Sequence, residues 1–453
     1  MPVFNPPEVF LREAIESVFD QVYGNWELCI TDDASTKQYV KPVLQEYAKK
    51  DSRIKLILNE SNQHISSASN SAINNANGEF CAFLDHDDKL RPHSLLEIAK
   101  AINQVNDVVL IYSDEDKIDD AGKRSFPFLK PDWNPDLLCS QNYICPLVAV
   151  RRESLQQLGG FRKGFEGSQD WDLLLRLTEN LKPSNIIHVP RILYHWRESK
   201  YSTAQSMLNK NYAFEASNNA LKEHYNRTNS LRVPILLPNG YFYGKSTSRQ
   251  HPSVTIIIPT RNGGEVLKRC VISILENTIY NSFDILIADN DSDQRNTKDL
   301  LLSLESKYSN VNICKFSGDF NYSLINNSMI SKVSSRVIVL LNDDTEITVP
   351  DWLIELTSNA IRKDIGAVGA KLLYPNGTIQ HAGVILGLGG IADHAFKTLP
   401  ENYAGQMSRA NLPHNVSAVT AACLAIEKDK FLKAGGFNEE NLKVAFNDVD
   451  LCI

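Results

Sequence analysis

Val254-Thr-Ile-Ile-Ile-Pro-Thr-Arg-Asn262 decides how the rest of the chain is read. Five apolar or β-branched residues in a row predict a strand buried on both faces, and the polar residues 259–262 mark where it ends. Downstream, 266–276 has the spacing of a helix, 285–288 reads as a second strand and 337–341 as another. Short β-rich runs alternating with longer helical patterns predict a mainly parallel sheet flanked by helices. Open sheets of this kind form their ligand crevice outside the carboxyl ends of the strands. Chemistry is therefore expected at 259–262, 289–292 and 342–344, each of which follows a strand.

The pattern also occurs earlier in the chain, at a fixed distance. Pro2-Val-Phe-Asn5 answers Pro259-Thr-Arg-Asn262, and Glu27-Leu-Cys-Ile-Thr-Asp32-Asp33-Ala-Ser35 answers Asp284-Ile-Leu-Ile-Ala-Asp289-Asn290-Asp291-Ser292. Phe83-Leu-Asp85-His-Asp87 answers Leu340-Leu-Asn342-Asp343-Asp344, and the offset is 257 each time (259 − 2, 289 − 32, 344 − 87). Farther on, Gly159-Gly-Phe161 answers Gly435-Gly-Phe437, and Gln169-Asp-Trp-Asp172 answers Asn447-Asp-Val-Asp450, the aspartates now 278 apart (448 − 170). The second copy thus carries about 21 extra residues (278 − 257), expected within 377–413. A repeat on this scale predicts two tandem α/β domains, 1–204 and 251–453, joined by a helical and turn-rich linker at 205–250. The first copy lacks a counterpart of the opening strand 254–258, and the second lacks a counterpart of the stretch from Asp172 to Tyr194-His-Trp-Arg197. A fragment of a longer protein is expected.

Composition narrows the class. The chain has 453 residues, 43% hydrophobic and 22% charged, which suits a folded protein of two or three domains. A net charge of −7 without a dense Lys/Arg run argues against nucleic acid as a partner. The eight cysteines lie mostly in apolar runs without CxxC pairs, as in the reduced thiols of a cytosolic protein. No charged-then-apolar leader opens the chain, and the longest apolar stretches, 416–426 and 337–341, are too short to span a bilayer. A cytoplasmic protein is expected, with the inner face of the plasma membrane open to it.

Asp85-His-Asp87-Asp88 follows the strand-like run 80–84, and Asp343-Asp344 follows 337–341. Carboxylates there can bind Mg²⁺ or Mn²⁺, which bridges the oxygens of a diphosphate, or they can be a solvated acidic turn. Recurrence at one offset favours the metal, with Asp87 and Asp344, the acids common to both copies, as its ligands and Asn342 in place of Asp85. Asp32-Asp33 and Asp289-Asn290-Asp291 can accept from a pyrimidine N–H, or simply build Asx turns. Asp170 and Asp448 each follow a Gly-Gly-Phe turn and open a helical run, so each is either a cap or a general base. His195 suits a metal or phosphate contact beside Arg197, or a structural role, while His381 and His394 show no ligand spacing and receive no role.

With these residues in hand, the chain resembles the family 2 inverting glycosyltransferases of the GT-A fold, in particular the tandem-domain proteins of O-antigen and other surface-polysaccharide assembly. The first copy has Tyr112-Ser-Asp-Glu-Asp116-Lys117, Lys130-Pro-Asp-Trp133-Asn-Pro-Asp136, Gln169-Asp-Trp-Asp172 and Tyr194-His-Trp-Arg197. The second has Leu341-Asn-Asp-Asp-Thr-Glu346, Ile379-Gln-His-Ala-Gly383 and Phe446-Asn-Asp-Val-Asp450. The resemblance implies two Rossmann-like GT-A domains, a nucleotide-sugar donor, a divalent cation, and a saccharide or lipid-linked saccharide acceptor. It implies that Asp170 and Asp448 are catalytic bases and that Asp87 and Asp344 hold the metal. Around the donor it places Pro2, Asn5, Asp32, Asp33, Asp85, Asp88, His195 and Arg197, and, in the second copy, Pro259, Asn262, Asp289, Asp291 and Asp343. The base position usually follows a Glu, where this chain has Gln169 and Asn447. Three readings compete: a glycoside hydrolase, which needs two facing carboxylates and no diphosphate-binding metal; a nucleotidyltransferase, for which no glycine-rich phosphate loop with a Lys is present near the first strand; and one copy serving as a non-catalytic binding or scaffold module.

Overall fold

The computed structural model describes residues 1–198, 207–249 and 251–453. They form two compact units, Met1–Gly244 with Leu412–His414, and Lys245–Asn411 with Asn415–Ile453. Among the described residues no helix is long and apolar enough to cross a membrane.

In the second unit the apolar run becomes the strand Val254–Thr260, every residue of it buried. It bonds in parallel to Phe283–Asn290 on one side and to Val337–Leu341 on the other. Val311–Phe316 extends the sheet at one edge, and Cys423–Glu427 and then Ala367–Gly369 extend it antiparallel at the other. Side-chain alternation divides this sheet between two cores. Ile256, Ile258, Val337 and Val339 pack with Leu267, Val271, Leu301 and Leu353 from three helices, whereas Ile257, Ile338 and Leu340 pack with Ile325, Met329 and Phe431. A sheet covered on both faces excludes water from its strands, which is why they read as unbroken apolar runs.

The first unit repeats this plan with a break. Its opening strand is two residues, Pro2–Val3, parallel to Leu28–Asp32, which is followed in the sheet by Ile54–Leu58. The register that ties Val254–Ile257 to Val337–Leu340 has no counterpart, so Phe80–Ala82 lies in a separate sheet with Val148–Arg151, Leu110–Ile118, Ile186–Arg197 and Lys89–Leu90. Beyond the break the registers agree: Phe80 pairs with Arg151 and Cys81 with Val150, as Val337 pairs with Glu427 and Ile338 with Ile426. The offset is still 257 on one strand (337 − 80) and has become 276 on the other (427 − 151), so the added residues lie before Cys423–Glu427.

The expected boundary at 204/205 lies outside the described residues. The segment read as a linker is a helix, Met207–Arg227, and a hairpin of Arg232–Leu236 with Phe242–Ser246. Ala220, Leu221, Tyr225 and Phe242 are buried in the same cluster as Trp171 and Leu174, and this apolar face is what draws the helix onto the first unit.

Candidate active site

Two loops at the strand ends are built identically in the two units. Asn5 and Asn262 take left-handed backbone (φ 52° and 56°). Each donates its N–H to a serine hydroxyl, Ser35 at 3.0 Å and Ser292 at 2.9 Å. Each side-chain carbonyl accepts two backbone N–H groups, from Thr36 and Lys37 in one unit and Asp293 and Gln294 in the other. Asp32 and Asp289 accept the N–H of that same serine, both at 3.1 Å. In each unit the Asn, Ser and Asp thus form an Asx-turn clasp joining two loops, with Pro2 and Pro259 inside the strands that feed it. Asp33 accepts from Asn59 at 2.8 Å and from the Gln63 N–H, and Asp291 from Ser317 and the Gly318 N–H.

A second device, which sequence reasoning missed, holds the loops that lead to Asp170 and Asp448. The Asn70 amide donates to Phe161 O and accepts from Phe161 N, both at 2.8 Å. Asn327, 257 residues on, does the same with Phe437 at 2.9 and 3.0 Å. The repeated Gly-Gly-Phe follows from this contact: Gly160 and Gly436 have φ of 68° and 71°, and a Cβ on them would lie 2.2 Å from Asn70 Oδ1 and 2.9 Å from Asn327 Oδ1. Its signal in the sequence was an asparagine repeated at the same offset.

In the first unit Asp85 feels the charges of Asp87 and of Asp170, which lies 85 residues farther along the chain. The protein atoms crowded around the crevice, with the charges of Asp87 and then Asp170, push the Asp85 carboxyl up to about 6, although the residue keeps an exposed surface. Asp170 opens the helix Gln169–Thr178, held by Asn142 Nδ2 at 3.0 Å and the Trp171 N–H at 2.8 Å, and burial raises its pKa as well. Among the described residues no three His, Cys, Asp or Glu side chains converge as a ready-made metal cage.

Asp88 and Arg197, expected at the donor, face the protein interior. Asp88 accepts from Tyr194 Oη at 2.6 Å and the Arg197 N–H at 2.7 Å; burial lifts its pKa well above the carboxylate range. Arg197 is 2% exposed; it donates to Asp87 O at 2.7 Å, to Asp119 O at 3.2 Å and to Glu13, with its guanidinium over the Phe10 ring. An arginine committed this way has no fork left for a phosphate, so the pair latches the loop that carries Asp85 and Asp87. His195 binds Asp116 through Nδ1, and Asp116 accepts from Arg124 at 2.6 Å; burial lowers the His195 pKa.

In the second unit, Asp343 accepts from Thr260 Oγ1 at 2.6 Å, and burial, reinforced by Asp344, raises its pKa. Gly263 makes room for this contact, since a Cβ there would meet Thr260 Oγ1 at 2.5 Å and Asp343 Oδ2 at 3.0 Å. Asp344 is exposed. Asp448 opens the helix Asn447–Cys452 and accepts the N–H groups of Ala421 and Val449 at 3.0 and 2.9 Å.

The profile of glycosyl transferase family 2 matches residues 1–159 and 255–429, one stretch in each unit. The chain belongs to this family. It is 44% identical over its whole length to an uncharacterized protein, y4gI, of Sinorhizobium fredii, covering 50% of it. It is 39% identical over 99% of its length to the O-antigen biosynthesis protein RfbC of Myxococcus xanthus, covering 35% of that protein. The family member spans half or less of these two relatives. With WfgD of Escherichia coli, named as a UDP-Glc:alpha-D-GlcNAc-diphosphoundecaprenol beta-1,3-glucosyltransferase, it shares 33% identity over 47% of its own length and 78% of WfgD.

Proposed function

We propose that this family 2 chain transfers a sugar from a nucleotide-sugar donor to a growing saccharide, or lipid-linked saccharide, in bacterial surface-polysaccharide synthesis of the O-antigen kind. In this role it works in the cytoplasm, peripheral to the inner face of the membrane when the acceptor is lipid-linked. The observation that carries the proposal is the family 2 match in both units, supported in the first by the charges of Asp87 and Asp170 acting on Asp85. Arg197 gives its guanidinium to Asp87 O, Asp119 O and Glu13 and not to the side chains of these carboxylates. Hard oxygen donors suit Mg²⁺ or Mn²⁺, which completes its shell with water and substrate oxygens. Asp85 and Asp87 would hold that cation, with Asp344 and Asp343 in the second unit, and when bound it offsets the charge of the leaving diphosphate.

The chain's own residues supply the rest. Asp170, fixed by Asn142 and the Trp171 N–H, takes the proton of the acceptor hydroxyl. The acceptor oxygen bonds to C1 as the C1–O bond to the diphosphate breaks, the electron pair leaving with the diphosphate, and the anomeric configuration inverts. A raised pKa makes Asp170 a stronger base than an ordinary carboxylate, at the cost of losing it to protonation at a higher pH.

Asp170→Asn is expected to lower transfer by the first site about 10³-fold, the range of a lost general base, while donor binding by titration calorimetry is unchanged. Transfer is read as nucleoside diphosphate release across a panel of nucleotide sugars, with Mn²⁺ and with chelator. Full activity of the variant, or of the parent in chelator, refutes the base or the metal respectively. A second reading, in which one unit is a binding or scaffold module, is favoured at the second unit by Asn342 and Asn290, which stand where the first has Asp85 and Asp33.

A further inference from the structure

Between Leu372 and His394 the second unit folds as two hairpins, Leu372–Leu373 with Ile379–His381 and Val384–Leu386 with Ala392–His394. The second hairpin lies against the helix that carries Asp448. Val384, Ala418 and Val449 form a buried cluster with Ala392 and Cys452, and the Val384 N–H donates to Ala418 O at 2.9 Å. The hairpins bring His381 and His394 side by side, their Nδ1 atoms 2.8 Å apart and their rings edge to face. His381 is 1% exposed and His394 half-buried. The N–H groups of Gly383 and Thr420 point at His381 Nε2 from 3.4 and 3.5 Å. With Nε2 an acceptor, a neutral His381 carries its proton on Nδ1 and donates it to His394 Nδ1, which leaves His394 protonated on Nε2.

Three charged groups act on His394: Lys397, Asp393 and Asp448. Lys397 is tied to Asp393 at 3.1 Å, while Asp448 accepts the backbone N–H groups of Ala421 and Val449. Burial holds the His394 pKa below its ordinary value, Lys397 adds to this, and the two aspartates oppose it. In the first unit the corresponding aspartate, Asp170, accepts instead from the Asn142 amide.

We propose that His381 and His394 form a neutral dyad whose remaining N–H, on His394 Nε2, faces the charge of Asp448, making His394 a positioning residue of the second site and giving that site a pH response the first does not share. The inference rests on Asp448 being the second site's base. While the dyad is neutral its N–H dipole favours the ionised carboxylate that takes the acceptor's proton. Once His394 takes up a proton of its own, the imidazolium neutralises Asp448 and weakens it as a base, so transfer declines as the pH falls through the dyad's titration.

The test uses the full chain carrying Asp170→Asn, so that transfer reports the second site. His394→Ala is expected to slow transfer about threefold near neutral pH, the scale of a through-space interaction with a charged group made without a direct hydrogen bond. His394→Gln, whose amide N–H stands near the place of Nε2–H but does not titrate, is expected to restore most of the rate and to move the acid limb to lower pH. Independently, nitrogen NMR of labelled histidines is expected to find His394 protonated on Nε2 and its pKa lowered further by Asp448→Asn. An acid limb unchanged in both His394 variants, or a His394 pKa indifferent to Asp448→Asn, overturns the dyad while an inactive Asp448→Asn leaves the base standing. Normal transfer by Asp448→Asn removes the base itself, and the dyad's role with it.

Discussion

The loop 85–88 of the first unit and its counterpart 342–345 leave equivalent strands at one offset, yet they are held by different chemistry. In the first, Asp88 is buried and clamped by Tyr194 Oη and the Arg197 N–H, while Asp85 feels the charges of Asp87 and Asp170. In the second, Asn342 replaces one acid and Asp343 is tied down by a hydroxyl, Thr260 Oγ1, on the strand next to it. The first loop is thus held by long-range contacts from Tyr194 and Arg197, whereas the second is held by a side chain of the adjacent strand.

Removing the latch tests this difference most severely. Arg197→Met keeps the backbone N–H that Asp88 accepts but takes the guanidinium from Asp87 O, Asp119 O and Glu13, and a buried acceptor left unpaired costs about 1–3 kcal/mol. Hydrogen exchange is expected to show the first unit losing protection by that amount with the second unchanged; equal loss in both would break the comparison. A smaller contrast comes from the asparagine clasps. Gly160→Ala and Gly436→Ala both force a side chain into left-handed backbone, at about 1 kcal/mol each. Gly160 also has the closer clash, so Gly160→Ala is expected to lower its unit's stability more than Gly436→Ala lowers the other's, and the reverse order would show that Asn327 yields less than Asn70.

The smallest effect lies in pH dependence. A carboxyl whose folded pKa is raised to about 6 binds its proton more tightly in the native than in the unfolded state, so it adds stability as pH falls from about 6 to the ordinary value near 4. In chelator, Asp85→Asn is expected to flatten part of the first unit's rise in melting temperature across that window. The second unit already has Asn342 at this position and is expected to lack that contribution. An unaltered pH profile in Asp85→Asn would show that Asp85 is not the strained acid of the cluster.

Much of the architecture is legible in the sequence, for local reasons. Apolar runs ending in acids marked the strands Phe283–Asn290 and Val337–Leu341 and their loops, because periodicity and strand-end polarity are properties of neighbouring residues. The constant offset carried that reading to the first unit, down to the Asn5 and Asn262 turns. Arg197 and Asp88 were misplaced because an exposed fork and a buried latch have the same local sequence, and the partner Glu13 is 184 residues away. The Asn70 clasp and the His381–His394 pair escaped notice for the same reason, as their partners come from other elements.

By itself, the sequence determined that there are two copies of one α/β plan, where their strands end, and which acids recur there. Only the tertiary structure decided which of those charges remain available and which are consumed holding the loops. Burial and pairing depend on what the rest of the chain folds against a residue, and this determines whether a carboxylate serves the crevice or the core.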